Sequence, residues 1–239
     1  MNVFMANPHD ADGDSARGDQ TRQRLLESAI EIFAHSAYDS VRTRVLADAA
    51  GVNQAAIPYY FGGKEGLYLA VAQHIAERLG ERIATLTGPA RKLLDNETPA
   101  SDEDLENALR DILANFARAI LGQHESRASA AIILREQQQP TKAFDLLYSQ
   151  AMEPLHQVVS TLVARRQRLN DDAPQAILHA HMLLGQVLGF VAARTTLMRR
   201  LNQSRIDAGQ IEYIADLLSA TRITAAAREG EPKQVPSCE

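Results

Sequence analysis

Few residues in this 239-residue chain have the type and spacing for covalent or metal chemistry. Cys238 is the only cysteine, so the chain can form neither an internal disulfide nor a cysteine metal site. His179 and His181 lie two residues apart. On a helix they point roughly 200° apart and cannot share one ion, because helical chelates place histidines four apart. They read as one core histidine and one at an interface or in solvent, and no metal is expected. Serine, histidine and aspartate occur, but without Gly-x-Ser-x-Gly, phosphate-loop glycines or a dinucleotide fingerprint. Nothing therefore supports an enzyme, and no cofactor is expected. Arg135 and Glu136 sit in an apolar context, where a guanidinium needs a partner. Either they make structural pairs to neighbouring helices, or Arg135 meets an anionic or polar group of a small molecule. Phe116, Ile120, Phe144, Tyr148, Met152 and Phe190 at helical spacing are plain core or the lining of an apolar pocket between helices.

The segment Thr43–Leu67, TRVLADAAGVNQAAIPYYFGGKEGL, carries a different chemistry. Thr43 is suited to cap a helix in which Val45, Leu46 and Ala49 make apolar contacts and Ala47 and Ala50 keep the packed side small. Gly51 falls where that helix must stop, because glycine tolerates the left-handed conformation. Val52 anchors the turn. Asn53 is suited to cap a second helix over Gln54–Tyr60, whose exposed residues Gln54, Ala55, Pro58 and Tyr59 are short or flat and fit a groove. Lys64 opens a third helix, where free amides and an ammonium favour a phosphate. This is the layout of a helix-turn-helix reader of double-stranded DNA. Thr43, Gln54 and Tyr59 are expected to meet DNA, with Arg44, Tyr60 and Lys64 nearer the backbone and Asn53, Ala55 and Pro58 beside them. Pro58 lacks the amide a helix would return to Gln54, so the second helix is expected to bend or to begin with a looser turn.

Thr43, Ala50-Gly51-Val52, Tyr59-Tyr60-Phe61, Lys64-Glu65 and Leu67, in one register near the N-terminus, resemble the TetR family of bacterial transcriptional regulators. Gly63 stands where that family usually has serine, and Pro58 where tyrosine or threonine is common. Helix TRQRLLESAIEIFAHSAY resembles the family's first helix, with Leu25, Ala29, Ile32 and Phe33 inward. Farther on, Arg135-Glu136-Gln137, Pro140-Thr141, Glu153-Pro154-Leu155 and the later ILHAHMLLGQVLGF are similar to the C-terminal domain of the CecR-like branch. The resemblance implies an all-α fold with an N-terminal three-helix reading domain and a C-terminal effector-binding and dimerisation domain. It also implies a small-molecule effector, for which Phe116, Ile120, Arg135, Phe144, Tyr148 and Met152 are the candidate contacts.

These residues must be held by helices. Aliphatic and alanine runs with polar spacing, few aromatics and no tryptophan point the same way. Residues 1–19 lack periodicity and read as a disordered leader, and 229–239 as a disordered tail. Between them, 20–65 reads as the DNA-binding domain and 66–228 as the effector and dimer domain. About nine helices are expected, near 20–36, the two of the reading unit, 64–87, 103–122, 126–138, 141–169, 174–201 and 207–227. Residues 88–104 read as a loop, Ser101 and Asp104 as a capping box, and Pro154 as a kink. The formal net charge is −5, yet Arg17 to Lys64 carries a small positive excess. Phosphate contact depends on such local placement. No long apolar span is expected, since charges break the helices, so the chain reads as cytoplasmic and not membrane-bound. Small residues Ala180, Gly185 and Gly189 among Leu184 and Leu188, with Ile214, Leu217 and Leu218, suit a four-helix homodimer interface. The reading is thus a dimeric repressor released from its operator by a small molecule. An alternative on the same fold is a protein-interaction regulator with weak DNA specificity.

Overall fold

The computed structural model describes the backbone of residues 9–122 and 125–220, and the side chains of 17–122 and 127–220. The described residues are helical, with no strand among them. In order they form α1 (His9–His35), a 3-10 turn (Tyr38–Ser40), α2 (Thr43–Ala50), α3 (Ala56–Phe61), α4 (Lys64–Leu94), α5 (Asp102–Leu121) and α6 (Glu125–Gln138). There follow α7 (Lys142–Leu147), a π turn (Tyr148–Met152), α8 (Glu153–Gln167), α9 (Pro174–Ala192), α10 (Arg194–Leu201) and α11 (Ala208–Ser219). The all-α expectation holds. The two helices beyond the expected nine come from breaks within two segments expected to be continuous.

One break lies ahead of Pro154. That residue cannot donate to the Gln150 carbonyl, and the chain widens into the π turn over Tyr148–Met152 rather than kinking a regular helix. The other lies at Ala193, whose φ of −102° and ψ of 22° leave the helical region. Three boundaries also differ. The first helix starts at His9, inside the segment expected to be a leader; residues 1–8 and the tail 229–239 lie outside the described residues. α4 runs on through Gly88 and Pro89 to Leu94, into the expected loop. The box at the start of α5 forms as expected: Ser101 Oγ accepts from the Asp104 amide at 3.1 Å, and the Asp104 carboxylate accepts from the Ser101 amide at 3.2 Å.

The chain packs as two compact units. The first holds the described residues up to Ala84 and those from Glu125 to Pro154; the second holds Thr85–Gly122 and the described residues from Leu155 onward. In the first, α1 packs on α2 and on α6. Leu25 and Phe33 of α1, Leu46 of α2, Ile57 of α3 and Leu67 of α4 are fully buried there, together with Ile132 of α6 and Leu147 of α7. Each such side chain contributes about 1.5–3 kcal/mol by leaving water. In the second unit α5 packs on α9 and α11, burying Leu109, Ile112 and Leu113 of α5 and Leu183 of α9. Arg118 of α5 makes a forked bond to Glu212 of α11, its shortest N···O distance being 2.8 Å.

The expectation of no long apolar span fails at α9. Pro174–Ala192 contains no Asp, Glu, Lys or Arg, and an 18-residue window of it reaches a mean hydropathy of 1.3. By length and composition it is the one described helix that could cross a bilayer.

Candidate nucleic-acid interface

The reading unit is assembled by backbone bonds that only partly follow the expected caps. α2 begins at Thr43, and Arg42, extended, stands ahead of it without a side-chain cap bond. Thr43 is therefore the first helical residue rather than the cap. Its Oγ1 accepts from Gln54 Nε2 at 2.9 Å, tying α2 to the turn before α3. With that register the buried face is Leu46, Ala47 and Ala50, while Val45 and Ala49, expected to pack, point outward. Gly51 ends α2 as expected, with φ of 63°, and the Val52 amide returns to the Ala47 carbonyl at 3.0 Å.

Asn53 does not cap a helix at Gln54. Its Oδ1 accepts from the Ala55 amide at 2.9 Å, an Asx turn, and α3 starts only at Ala56. The cause is Pro58. A helix from Gln54 would need the Pro58 amide to bond the Gln54 carbonyl. That carbonyl instead accepts from the Ile57 amide at 3.2 Å in a tighter turn. Pro58 then falls in the first turn of α3, where a missing N–H leaves no bond unmade. Of the two outcomes expected at Pro58, the looser start is the one that occurs.

Ile57 pins α3 to the core, and the opposite face is open. Tyr59 is 80% exposed, and Gln54, Ala55 and Pro58 are exposed beside it. Tyr60 is half-buried and meets the Tyr59 ring edge-on, with centroids 4.8 Å apart. A Cβ on Gly18 would come within 3.4 Å of the Tyr60 hydroxyl, so Tyr60 leans on α1. Arg44 is exposed and pairs with Asp48 one turn on, at 3.6 Å. Arg42, exposed just ahead of α2, and Val45 extend this face, and sequence reasoning missed both. Arg42 could have been found from its charge next to the helix start; Val45 could not, because its exposure depends on the register Thr43 takes.

Lys64 is the clearest departure. Its ammonium, expected at a phosphate, donates to the carbonyls of Tyr38 and Val41 at 3.0 Å each. It also lies 4.2 Å from the Tyr38 ring centroid. The lysine thus holds the link between α1 and α2 against the start of α4.

Arg135-Glu136-Gln137 works in the same unit as a set of joints. Arg135 donates to the Phe33 and Ala34 carbonyls, at 2.6 and 3.3 Å, near the end of α1. This is the structural pairing, one of the two expectations for that residue. Glu136, 1% exposed, accepts from the Tyr68 hydroxyl at 2.6 Å and from both the amide and the hydroxyl of Thr141 at 2.9 Å. Burial first, then the bond to Glu136, push the Tyr68 phenol well above its ordinary value, so it stays protonated and donating. Gln137 donates to the Met152 sulfur at 3.2 Å.

The other candidate effector contacts fall in both compact units. In the first, Phe144 and Tyr148 stack with centroids 5.9 Å apart, Tyr148 being 45% exposed. In the second, Phe116 is buried and Ile120 half-buried within α5. Two shallow depressions on the second unit, along α9–α10 and α10, are lined by Phe190, one of the residues expected in the core or at a pocket, and by residues outside that set, among them Leu197 and Met198. His179, expected in the core or at an interface, is half-buried and shares a 3.0 Å contact with Gln167. His181 meets His156.

Comparison with known proteins agrees with this geometry. Residues 25–71 match the family of bacterial regulatory proteins described as the tetR family, and residues 105–228 match the C-terminal domain of the HTH-type transcriptional dual regulator CecR. The chain is 32% identical to CecR of Shigella flexneri over 201 residues, which span 83% of this chain and 87% of that one. It is 39% identical to the repressor AcnR of Corynebacterium efficiens over 72 residues, 29% of this chain and 38% of that one. Among solved structures, the hemolysin II regulator HlyIIR has a TM-score of 0.56 at 17% identity, covering 85% of this chain and 99% of that one. AmtR of Mycobacterium smegmatis has a TM-score of 0.54 at 18% identity, covering 83% and 84%. These relatives are regulators, not enzymes. With a helix-turn-helix whose open face is set by Gly51, Asn53 and Pro58, and with both family domains in their expected order, the chain belongs to the TetR family of DNA-binding transcriptional regulators and carries a CecR-type C-terminal domain.

Proposed function

We propose that this protein is a homodimeric repressor that reads a near-palindromic operator and leaves it when a small molecule binds. The observation that carries the DNA contact is the open face of α3, with Gln54, Pro58 and Tyr59 exposed on a helix pinned from behind by buried Ile57. Gln54 and Tyr59 meet base edges, Pro58 and Ala55 allow close approach, and Thr43 and Asn53 fix the turn. Arg42 and Arg44, with the first amides of α4, take phosphates. Lys64 supports this face from within. Half-site centres lie about 34–36 Å apart, or a multiple of that. Such a regulator works in the cytoplasm, where its operator is.

The dimer reading rests on the open side of α9 and α11. Leu178, Met182, Tyr213 and Leu217 are 70%, 57%, 65% and 53% exposed, while Gly185 and Gly189 leave room beside them. Leu184, Ile214 and Leu218, expected at that interface, are instead buried within the chain. A second copy covers the open set, which also accounts for so apolar a helix outside a membrane.

The effector reading concerns α7 and the π turn. A small amphipathic molecule packs on Phe144, Tyr148 and Met152 in the first unit. Displacement of α7 is felt at α1 through Arg135 and at α4 through the Thr141–Glu136–Tyr68 chain. The effector then disfavours the DNA-bound arrangement by about 1–3 kcal/mol of coupling. A gel shift with the DNA upstream of the gene tests the operator reading. Retardation that disappears on Tyr59→Ala supports it; no retardation leaves the protein-interaction alternative in its place.

A further inference from the structure

Gln54 is exposed, yet it is held at both ends. Its backbone is fixed by the Asn53 side chain on the Ala55 amide and by the Ile57 amide on its own carbonyl. Its tip is fixed by Thr43, whose Oγ1 accepts from Nε2 at 2.9 Å. Thr43 is the first residue of α2 rather than its cap, which leaves its hydroxyl for Gln54. A side chain held in this way has lost its rotamer freedom before DNA arrives, so binding need not order it.

The direction of the amide decides what it can read. With Nε2 on Thr43, the groups left over are Oε1, an acceptor, and the second Nε2 hydrogen, a donor. In the major groove adenine sets a donor, N6–H, beside an acceptor, N7, whereas guanine sets two acceptors, O6 and N7, together. The flipped amide, with Oε1 on the Thr43 hydroxyl, would present two donors, which is the complement of guanine. We propose that Thr43 is a positioning residue that holds Gln54 in the adenine-reading direction, so that each half-site carries one A·T pair selected over G·C by this bond. The proposal rests on the reading of the α3 face as the DNA contact. Phosphate contact reinforces the direction. Once the Thr43 hydroxyl gives its hydrogen to a phosphate, it can only accept from Gln54, and the flipped amide is excluded.

The test selects binding sites from a pool of random duplexes with the full chain and reads the base preference at every position. The wild type should show one A·T pair per half-site, preferred about 5- to 150-fold over G·C, that Gln54→Ala levels. Thr43→Val fills the same space without the acceptor oxygen. It should cut the A-over-G ratio at that pair by about threefold or more and leave the other positions as they were. Thr43→Ser, which restores the oxygen, should return the ratio. Loss of a merely structural tie weakens all sequences alike and moves no ratio. Melting checks that Thr43→Val folds; if it does not, Thr43→Ala removes the same oxygen. A ratio that survives loss of the oxygen while Gln54→Ala levels the pair overturns the role of Thr43 alone. A levelled pair that is G·C overturns the adenine direction. A profile unaltered by Gln54→Ala, or a pool from which nothing is selected, removes the α3 reading and the proposal with it.

Discussion

Lys64→Met keeps the aliphatic stem of that residue and removes its ammonium. Two 3.0 Å bonds to the Tyr38 and Val41 carbonyls are lost, together with the cation 4.2 Å from the Tyr38 ring. A hydrogen bond with a charged donor is worth about 1.5–3 kcal/mol when well desolvated, and a cation over an aromatic ring about 0.5–1 kcal/mol when partly exposed. The site is only part-buried and the terms are not additive, so a net loss of about 2 kcal/mol is expected. For a chain of this size that lowers the melting temperature by about 4–8 °C. Val41 is buried, so its carbonyl would be left without its charged donor and the α1–α2 link would loosen. Operator affinity then falls through misplacement of α2, and the salt dependence of binding stays as it was. A lysine on phosphate behaves oppositely: the melting temperature holds and the slope of log K against log salt falls by about 0.9. Calorimetric melting and operator titrations at several salt concentrations separate the two. Unchanged melting with a slope reduced by about one unit would refute the structural role.

Tyr59→Ala and Gln54→Ala should each cost about 1–3 kcal/mol of operator discrimination with little change in melting, since both side chains are exposed; a selected-site profile checks this, and an unaltered profile removes them from the interface. A Cβ added at Gly185 meets nothing within 4 Å in its own chain, whereas Gly185→Glu buries an unpaired carboxylate between copies, so light scattering should show monomers; an unchanged dimer would place the interface elsewhere. Glu136→Gln replaces an acceptor of three bonds by an amide with one acceptor oxygen, and should destabilise the fold by about 1–3 kcal/mol in denaturant titration; equal or greater stability would show the network is not holding α6. Gly80→Ala puts a Cβ 2.7 Å from the Gln150 carbonyl oxygen and should cost about 1–3 kcal/mol by overpacking, read by melting.

The reading unit was legible because its signals are local. Gly51 ends a helix wherever it falls, and Pro58 removes an amide whatever surrounds it. The caps were placed one to two residues out because Thr43 and Asn53 spend their side chains on Gln54 and on the Ala55 amide. The contacts of Lys64 lie outside what sequence can supply: its partners are main-chain carbonyls, which every residue has. Arg135-Glu136-Gln137 could be recognised as a motif, but its duties follow from α1 and α4 lying against α6. The break at Pro154 was located, although its form as a π turn was not. His156 and His181 carry no spacing signal at all, because they meet only when α8 and α9 pack.

The core behind α3 is built from two stretches of sequence, and Ile132, Ala143 and Leu147 belong to the later one. A ribosome adding about 5–20 residues per second needs about 4–16 s to travel the roughly 80 residues from Leu67 to Leu147. Throughout that interval the inner faces of α1 and α4, with Phe33, Leu67 and Val71, wait for the helices that close over them. The nascent chain therefore exposes apolar surface before its reading part is complete. An N-terminal fragment ending after α4 would keep every residue proposed to contact bases yet lack part of the core behind them, so the DNA-reading part is completed late although it is encoded early.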